Sequence, residues 1–190
     1  MLRELILKNR SYRRFDESAL ITRLELERFV EMARISPSAR NMQPLKYILS
    51  FDKAKNGKIF PALSWAGYLK DWPGPEKGER PSAYIIMLGD TKLSPGYSVD
   101  SGIAAQSILL GAVEQGYGGC MIGTVDKDII RKALDIPEQY EILYVLALGR
   151  PVEIVEIGNL PANGDVRYWR DEKKVHHVPK RALKDLILDL

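Results

Sequence analysis

The sequence predicts one globular domain in which helices and strands intermix. Three observations carry that expectation: 190 residues suit a single domain, apolar residues recur at helical spacing behind clear caps, and several short apolar runs have strand length. A chain of this size buries roughly 70% of the surface its unfolded form exposes. Hydrophobic content of 45% and charged content of 28% are ordinary for a folded domain and exclude disordered and fibrous classes.

Leu2, Leu5 and Ile6 suggest a short first helix, and Asn9 to Asp16 reads as a polar turn, too basic to enter a core. Thr22 and Glu25 form a capping box, and Leu26, Phe29, Val30 and Ala33 follow at helical spacing until Pro37 stops the helix. Leu45 to Phe51 and Ala83 to Gly89, apolar and rich in Ile and Tyr, suit buried strands. Pro61 to Pro81 mixes Trp65, Tyr68 and Trp72 with Pro73, Gly74, Pro75 and Gly78, the composition of a mobile flap. From Ser98 to Gln115 the pattern is that of a central buried helix, with Gly116 as its stop. Cys120 to Gly123 is a brief strand, Asp126 caps a helix reaching about Asp135, and Glu141 to Leu148 is a further buried strand. The polar stretch from 153 to 190 is too long for an ordinary loop and reads as an extended arm that wraps a partner or a ligand.

Net charge is +3 and the isoelectric point about 8.9. Twenty-five acidic residues interleave with the basic ones, which argues against a general nucleic-acid surface and for local anion binding. One cysteine, Cys120, excludes an internal disulfide or a multi-cysteine metal site and points to a reducing compartment, the cytoplasm. The N-terminus lacks a secretory cleavage pattern, and the longest apolar run, near Ile103 to Val113, falls short of the roughly 20 residues a membrane span needs.

Phosphate-loop, paired-histidine zinc and nucleophile-elbow signatures are missing. Gly116, Gly118, Gly119 and Gly123 have the wrong spacing and context for a dinucleotide turn. Arg10, Ser11, Arg13 and Arg14 place three guanidinium groups and a hydroxyl within five residues, enough to surround a phosphate; a solvated surface run is the other reading. Pro37-Ser38-Ala39-Arg40-Asn41-Met42-Gln43-Pro44 supplies rigid backbone and amide groups that could edge a planar heterocycle, or simply link a helix to a strand. Cys120 reads as a small buried hydrophobe, and adjacent His176 and His177 point to opposite faces and share no metal. Asp100 reads as a helix cap, and Trp65 and Trp72 as cover for the core.

Together these motifs resemble the nitroreductase family of FMN-dependent oxidoreductases. Arg10-Ser11-Tyr12-Arg13 looks like its phosphate motif, and Pro37 to Pro44 like its flavin-edge motif. Asp100 to Gln106 with Gly116 to Gly123 is similar to its central helix and following strand, and Lys180 and Arg181 sit where it carries a C-terminal basic residue. Asn9 and Leu45 depart from the arginine and tryptophan common in the family. The resemblance implies an α+β sandwich, a mostly antiparallel sheet flanked by helices, in a homodimer with FMN at the interface. It implies FMN contacts from Arg10, Ser11, Tyr12, Arg13, Pro37, Ser38, Ala39, Asn41, Gln106, Ile122, Gly123, Thr124, Lys180 and Arg181, with no metal. Hydride is then expected to pass from NADH or NADPH through flavin N5 to a nitroaromatic, a quinone or a similar small acceptor, in ping-pong order. Alternatives are a flavin-sensing or storage module, or a family member that dehalogenates reductively or consumes its flavin.

Overall fold

The computed structural model describes residues 1–94 and 96–188. Among the described residues, five α-helices, α1 (Leu2–Lys8), α2 (Arg23–Arg34), α3 (Lys53–Ile59), α4 (Ser98–Glu114) and α5 (Lys127–Leu134), pack with two sheets. The larger sheet contains β1 (Phe15–Asp16), β2 (Leu45–Ser50), β3 (Ala83–Asp90), β4 (Gly118–Ile122) and β5 (Tyr140–Pro151). Within it β3 lies between β2 and β5, while β4 and β1 also pair with β5. All four pairings are antiparallel, and the fold is the expected α+β arrangement.

Side-chain alternation along β3 explains the layering, because successive strand residues face opposite sides. Ala83, Ile85 and Met87 join Leu26, Phe29, Ala105, Ile108 and Ala112 of α2 and α4 on one face. Tyr84, Ile86 and Leu88 join Ile59, Trp65, Ile122 and Ile130 on the other. With both faces covered, all eight β3 residues are buried, which a continuous apolar run foretells. The Thr22 capping box forms as expected, with the Glu25 N–H reaching the Thr22 hydroxyl at 3.3 Å. Gly116 at φ +80° ends α4, a left-handed position that suits glycine.

The region between β2 and β3 holds more order than its composition suggests. Asp52 caps α3, which sequence reading left unassigned, by accepting from the Lys55 N–H at 2.7 Å. Ala62, Leu63 and Trp65 are buried in the second layer, and the Ser64 N–H donates to the Thr124 carbonyl at 3.1 Å. Tyr68 stays half exposed.

Two expectations at the N-terminus and α4 need correction. Asn9 to Asp16 is no purely polar turn, since Phe15 is fully buried and Arg13 nearly so. Asp100 lies within the first turn of α4 and caps the neighbouring loop instead, accepting from Ser38 Oγ at 2.5 Å and the Ala39 N–H at 2.9 Å.

Beyond β5 the chain folds into a second sheet of β6 (Val155–Asn159), β7 (Trp169–Arg170) and β8 (His176–Lys180). Here β6 runs parallel and β7 antiparallel to β8. Glu153 anchors this sheet to the N-terminal segment. Its carboxylate accepts from the backbone N–H groups of Arg13 and Arg14 and pairs with Arg170 at 3.2 Å. His176, 1% exposed, lies 3.2 Å from Arg13 Nη1.

Truncating Phe29, 1% exposed, to alanine should cost about 3–5 kcal/mol of unfolding free energy by chemical denaturation. The same change at Leu24, 58% exposed, should stay within about 0.5 kcal/mol. Burial, then Arg13, Arg170 and His177, push the His176 pKa from 6.5 down to about 4. Between those values the unfolded chain binds a proton that the folded chain refuses, so stability rises with pH across that window and falls on acidification. The thermal midpoint should therefore drop from pH 6.5 towards about 4, and His176→Gln should flatten that slope; equal slopes would assign it to other groups.

Candidate functional site

Backbone proximity sets the first part of the site. Ser11 bridges Gly119 of β4, and the Tyr12 N–H donates to the Gly119 carbonyl at 3.1 Å. A Cβ on Gly118 would lie 2.5 Å from the Tyr12 ring, and one on Gly119 2.8 Å from the Ala147 carbonyl oxygen. Only glycine lets the arginine segment and the sheet approach this closely.

A cleft of 280 Å³ opens beside that contact, lined by Asn9, Arg10, Ser11, Arg13, Tyr168, His176 and Lys180 together with Val155 and Val178. Three cations and no carboxylate line it. The Arg13 guanidinium donates to the Ser11 carbonyl at 3.1 Å and stacks 4.8 Å from the Tyr168 ring centroid. Arginine can only donate, so His176 Nε2 accepts from it and the neutral ring carries its proton on Nδ1. His176 Nδ1 and Arg10 Nε are both buried with no acceptor among the described residues. Buried donors without partners are costly, and a bound anion would satisfy such groups. The residues therefore fit a phosphate group.

Arg14 turns away. It forms a two-point ion pair with Glu79, whose hydrogen bond raises its pKa further. Tyr12 donates its hydroxyl to the Lys8 carbonyl at 2.9 Å, and Arg181 is exposed without lining the cleft. Tyr168, His176 and Glu153 escaped sequence reading as members of this environment. The pairing of β8 with β6, which brings them here, leaves no local sequence mark.

The second group lies elsewhere on the same chain. Pro37 and Ser38 line a separate cleft of 460 Å³ with Gln43, Leu45, Tyr47 and Asp100, sharing no residue with the first. Asn41 and Ala39 are exposed beside it. Arg40, Asn41 and Gln43 all hold positive φ, between 48° and 54°. Such conformations cost about 1–3 kcal/mol each in non-glycine residues and concentrate at functional loops. Asp100 holds the loop from beneath.

Helix α4 spaces the two groups. Asp100 meets the Pro37–Pro44 loop, and six residues on, about 9 Å at 1.5 Å per residue, exposed Gln106 accepts from Asn9 Nδ2 at 3.3 Å. Strand β4 leads from Gly119 to buried Ile122, about 10 Å away at 3.3 Å per residue, with exposed Gly123 and Thr124 just beyond it. Cys120 is buried, and burial pushes its thiol pKa up, so it is an inert core residue. His177 pairs with Asp171 at 3.0 Å and stacks on Trp169. No group of metal-ligating side chains occurs among the described residues.

Residues 6–81 and 80–150 match the model of the nitroreductase family. The FMN reductase (NADPH) of Bacillus subtilis is 27% identical over 169 residues, covering 80% of this chain and 66% of that protein. A nitroreductase family protein from Clostridium novyi NT superposes with a TM-score of 0.64 at 27% identity, over 80% of this chain and 86% of that one. The NADPH:FMN oxidoreductase of Vibrio harveyi, solved in complex with NAD+, gives a TM-score of 0.66 at 25% identity, over 85% and 74%. Since the matched stretches take in both the arginine segment and the Pro37–Pro44 loop, this chain belongs to the nitroreductase family.

Proposed function

We propose that this chain is the subunit of a homodimeric, FMN-dependent cytoplasmic oxidoreductase that takes hydride from NADH or NADPH and delivers it to a small acceptor such as a nitroaromatic or quinone. The acid-free cleft with its unpartnered Arg10 Nε and His176 Nδ1 carries this reading. The names of the Bacillus and Vibrio relatives agree with it.

When bound, FMN supplies the two-electron chemistry, and the protein's part is binding, orientation and electrostatics. Arg10, Ser11, Arg13 and Lys180 hold the phosphate, with Arg181 adding charge at the rim. Gln106, Tyr12 and the backbone of Ile122, Gly123 and Thr124 line the path along β4. Pro37, Ser38, Ala39 and Asn41 come from the second subunit, because on one chain Pro37 and Ser38 line a different cleft, with Ala39 and Asn41 exposed beside it. Arg40 adds positive potential that favours an electron-rich ring. Apolar side chains left exposed in one chain support the dimer: Leu2 and Ile6 on α1, Val99 on α4, and Leu183, Leu186, Ile187 and Leu188 near the C-terminus. No helix among the described residues is long and apolar enough to cross a membrane.

Arg13→Gln should weaken FMN binding about tenfold or more, whereas Arg14→Gln, already engaged by Glu79, should change it little. Flavin fluorescence quenching measures both, and comparable losses would contradict the assignment. Anaerobic NADH or NADPH should bleach the yellow protein, and a quinone or nitroaromatic should restore the colour. Failure to bleach with either nucleotide would rule out the oxidoreductase reading.

A further inference from the structure

A third cleft, 720 Å³ in volume, lies between α3 and the start of β3 and shares no lining residue with the two above. Its size falls within the roughly 300–1,000 Å³ of small-molecule pockets. Leu20, Phe51, Phe60 and Tyr84 give it apolar and aromatic walls, and Lys53, Lys77 and Arg80 give it positive charge. Glu17 is the one carboxylate in the lining, and it is engaged by the Gly78 N–H.

Arg80 is the distinctive group. Its guanidinium carbon sits 4.1 Å from the Phe60 ring centroid. Stacking of this kind fixes the plane of the group and leaves its N–H edge free for an anion. Among the described residues Arg80 pairs with no carboxylate, and its Nε is buried with no acceptor. Ser82, 4% exposed, presents a hydroxyl that is likewise buried and unpartnered. The wall behind them is fixed. Asn56 donates to the Ser82 carbonyl at 2.8 Å and accepts from Ser50 Oγ at 2.7 Å.

An ordinary surface arginine would be solvated or ion-paired, and a purely apolar groove would hold no orphaned donors. This cleft combines orphaned donors, net positive charge and aromatic walls. We infer that it is a second ligand site, which takes a flat aromatic anion whose charged group meets Arg80 and Ser82 while its ring lies against Phe51 and Leu20. The site is independent of the FMN cleft, so failure here leaves that reading untouched.

The test uses the purified protein with FMN added in excess, titrated with 2-naphthoate and, separately, with neutral 2-naphthamide. Nitrogen-15 NMR should show saturable shifts of the Gly57 and Gly78 amides and of the Arg80 Nε–H with the carboxylate. The amide should bind about tenfold more weakly, and Arg80→Gln should weaken naphthoate by about the same factor. Gly57→Leu provides a second variant: a Cβ there meets nothing within 4 Å, so the longer side chain should fill the cleft and block binding without disturbing the fold. Equal affinity for acid and amide, unchanged affinity in either variant, or no saturable shift at these three groups would overturn the proposal.

Discussion

The carboxylate of Glu153 leaves the end of β5 with its side chain 1% exposed and receives donors from both ends of the molecule. Backbone N–H groups of Arg13 and Arg14 reach it from the N-terminal segment, and Arg170 reaches it from the C-terminal sheet. A carboxylate this deeply buried is tolerable only when paired and hydrogen-bonded. Burial pushes the Arg170 pKa down, and the Glu153 carboxylate beside it opposes that shift. The cleft beside Gly119 depends on this knot, which holds β8, with His176 and Lys180, against Arg10 to Arg13.

Rigidity elsewhere serves the same end. Helix α4 runs buried between α2 and the sheet, so its two ends cannot drift apart. One end fixes the strained Pro37–Pro44 loop through Asp100, and the middle meets Asn9 through Gln106. Strain at Arg40, Asn41 and Gln43 persists because the Asp100 carboxylate and the Ser38 hydroxyl over-determine the loop, the latter accepting from the Gln43 N–H at 2.9 Å. A loop held this way is pre-organised, which reduces the ordering cost of binding.

Elements whose cause is local were legible in the sequence. The Thr22 box, the Asp126 cap and the apolar run of β3 each announce themselves within a few residues, and the structure forms α2, α5 and β3 there. The extended arm was legible as polar chain but not as a sheet, because β6 and β8 pair across some twenty residues with only weak strand patterning. Phe15 was misread for a related reason: its burial comes from packing against Gly149, where a Cβ would lie 2.8 Å from the Phe15 side chain. At the site, Arg10, Ser11 and Arg13 were identified by residue type and Lys180 through the family resemblance, and the four line one cleft. Glu153, Tyr168 and His176 were not, since a supporting role depends on tertiary contact and leaves no spacing signal.

In the proposed dimer a single FMN is gripped at its phosphate by one chain and edged at its ring by another. A crystal structure of the protein with FMN decides this most directly. The phosphate should lie within hydrogen-bond distance of Arg10, Ser11 and Arg13 of one subunit, with the Pro37–Pro44 loop of the second subunit beside the ring. A phosphate bound away from the arginine segment, or a flavin contacted by both groups from one chain, would contradict it.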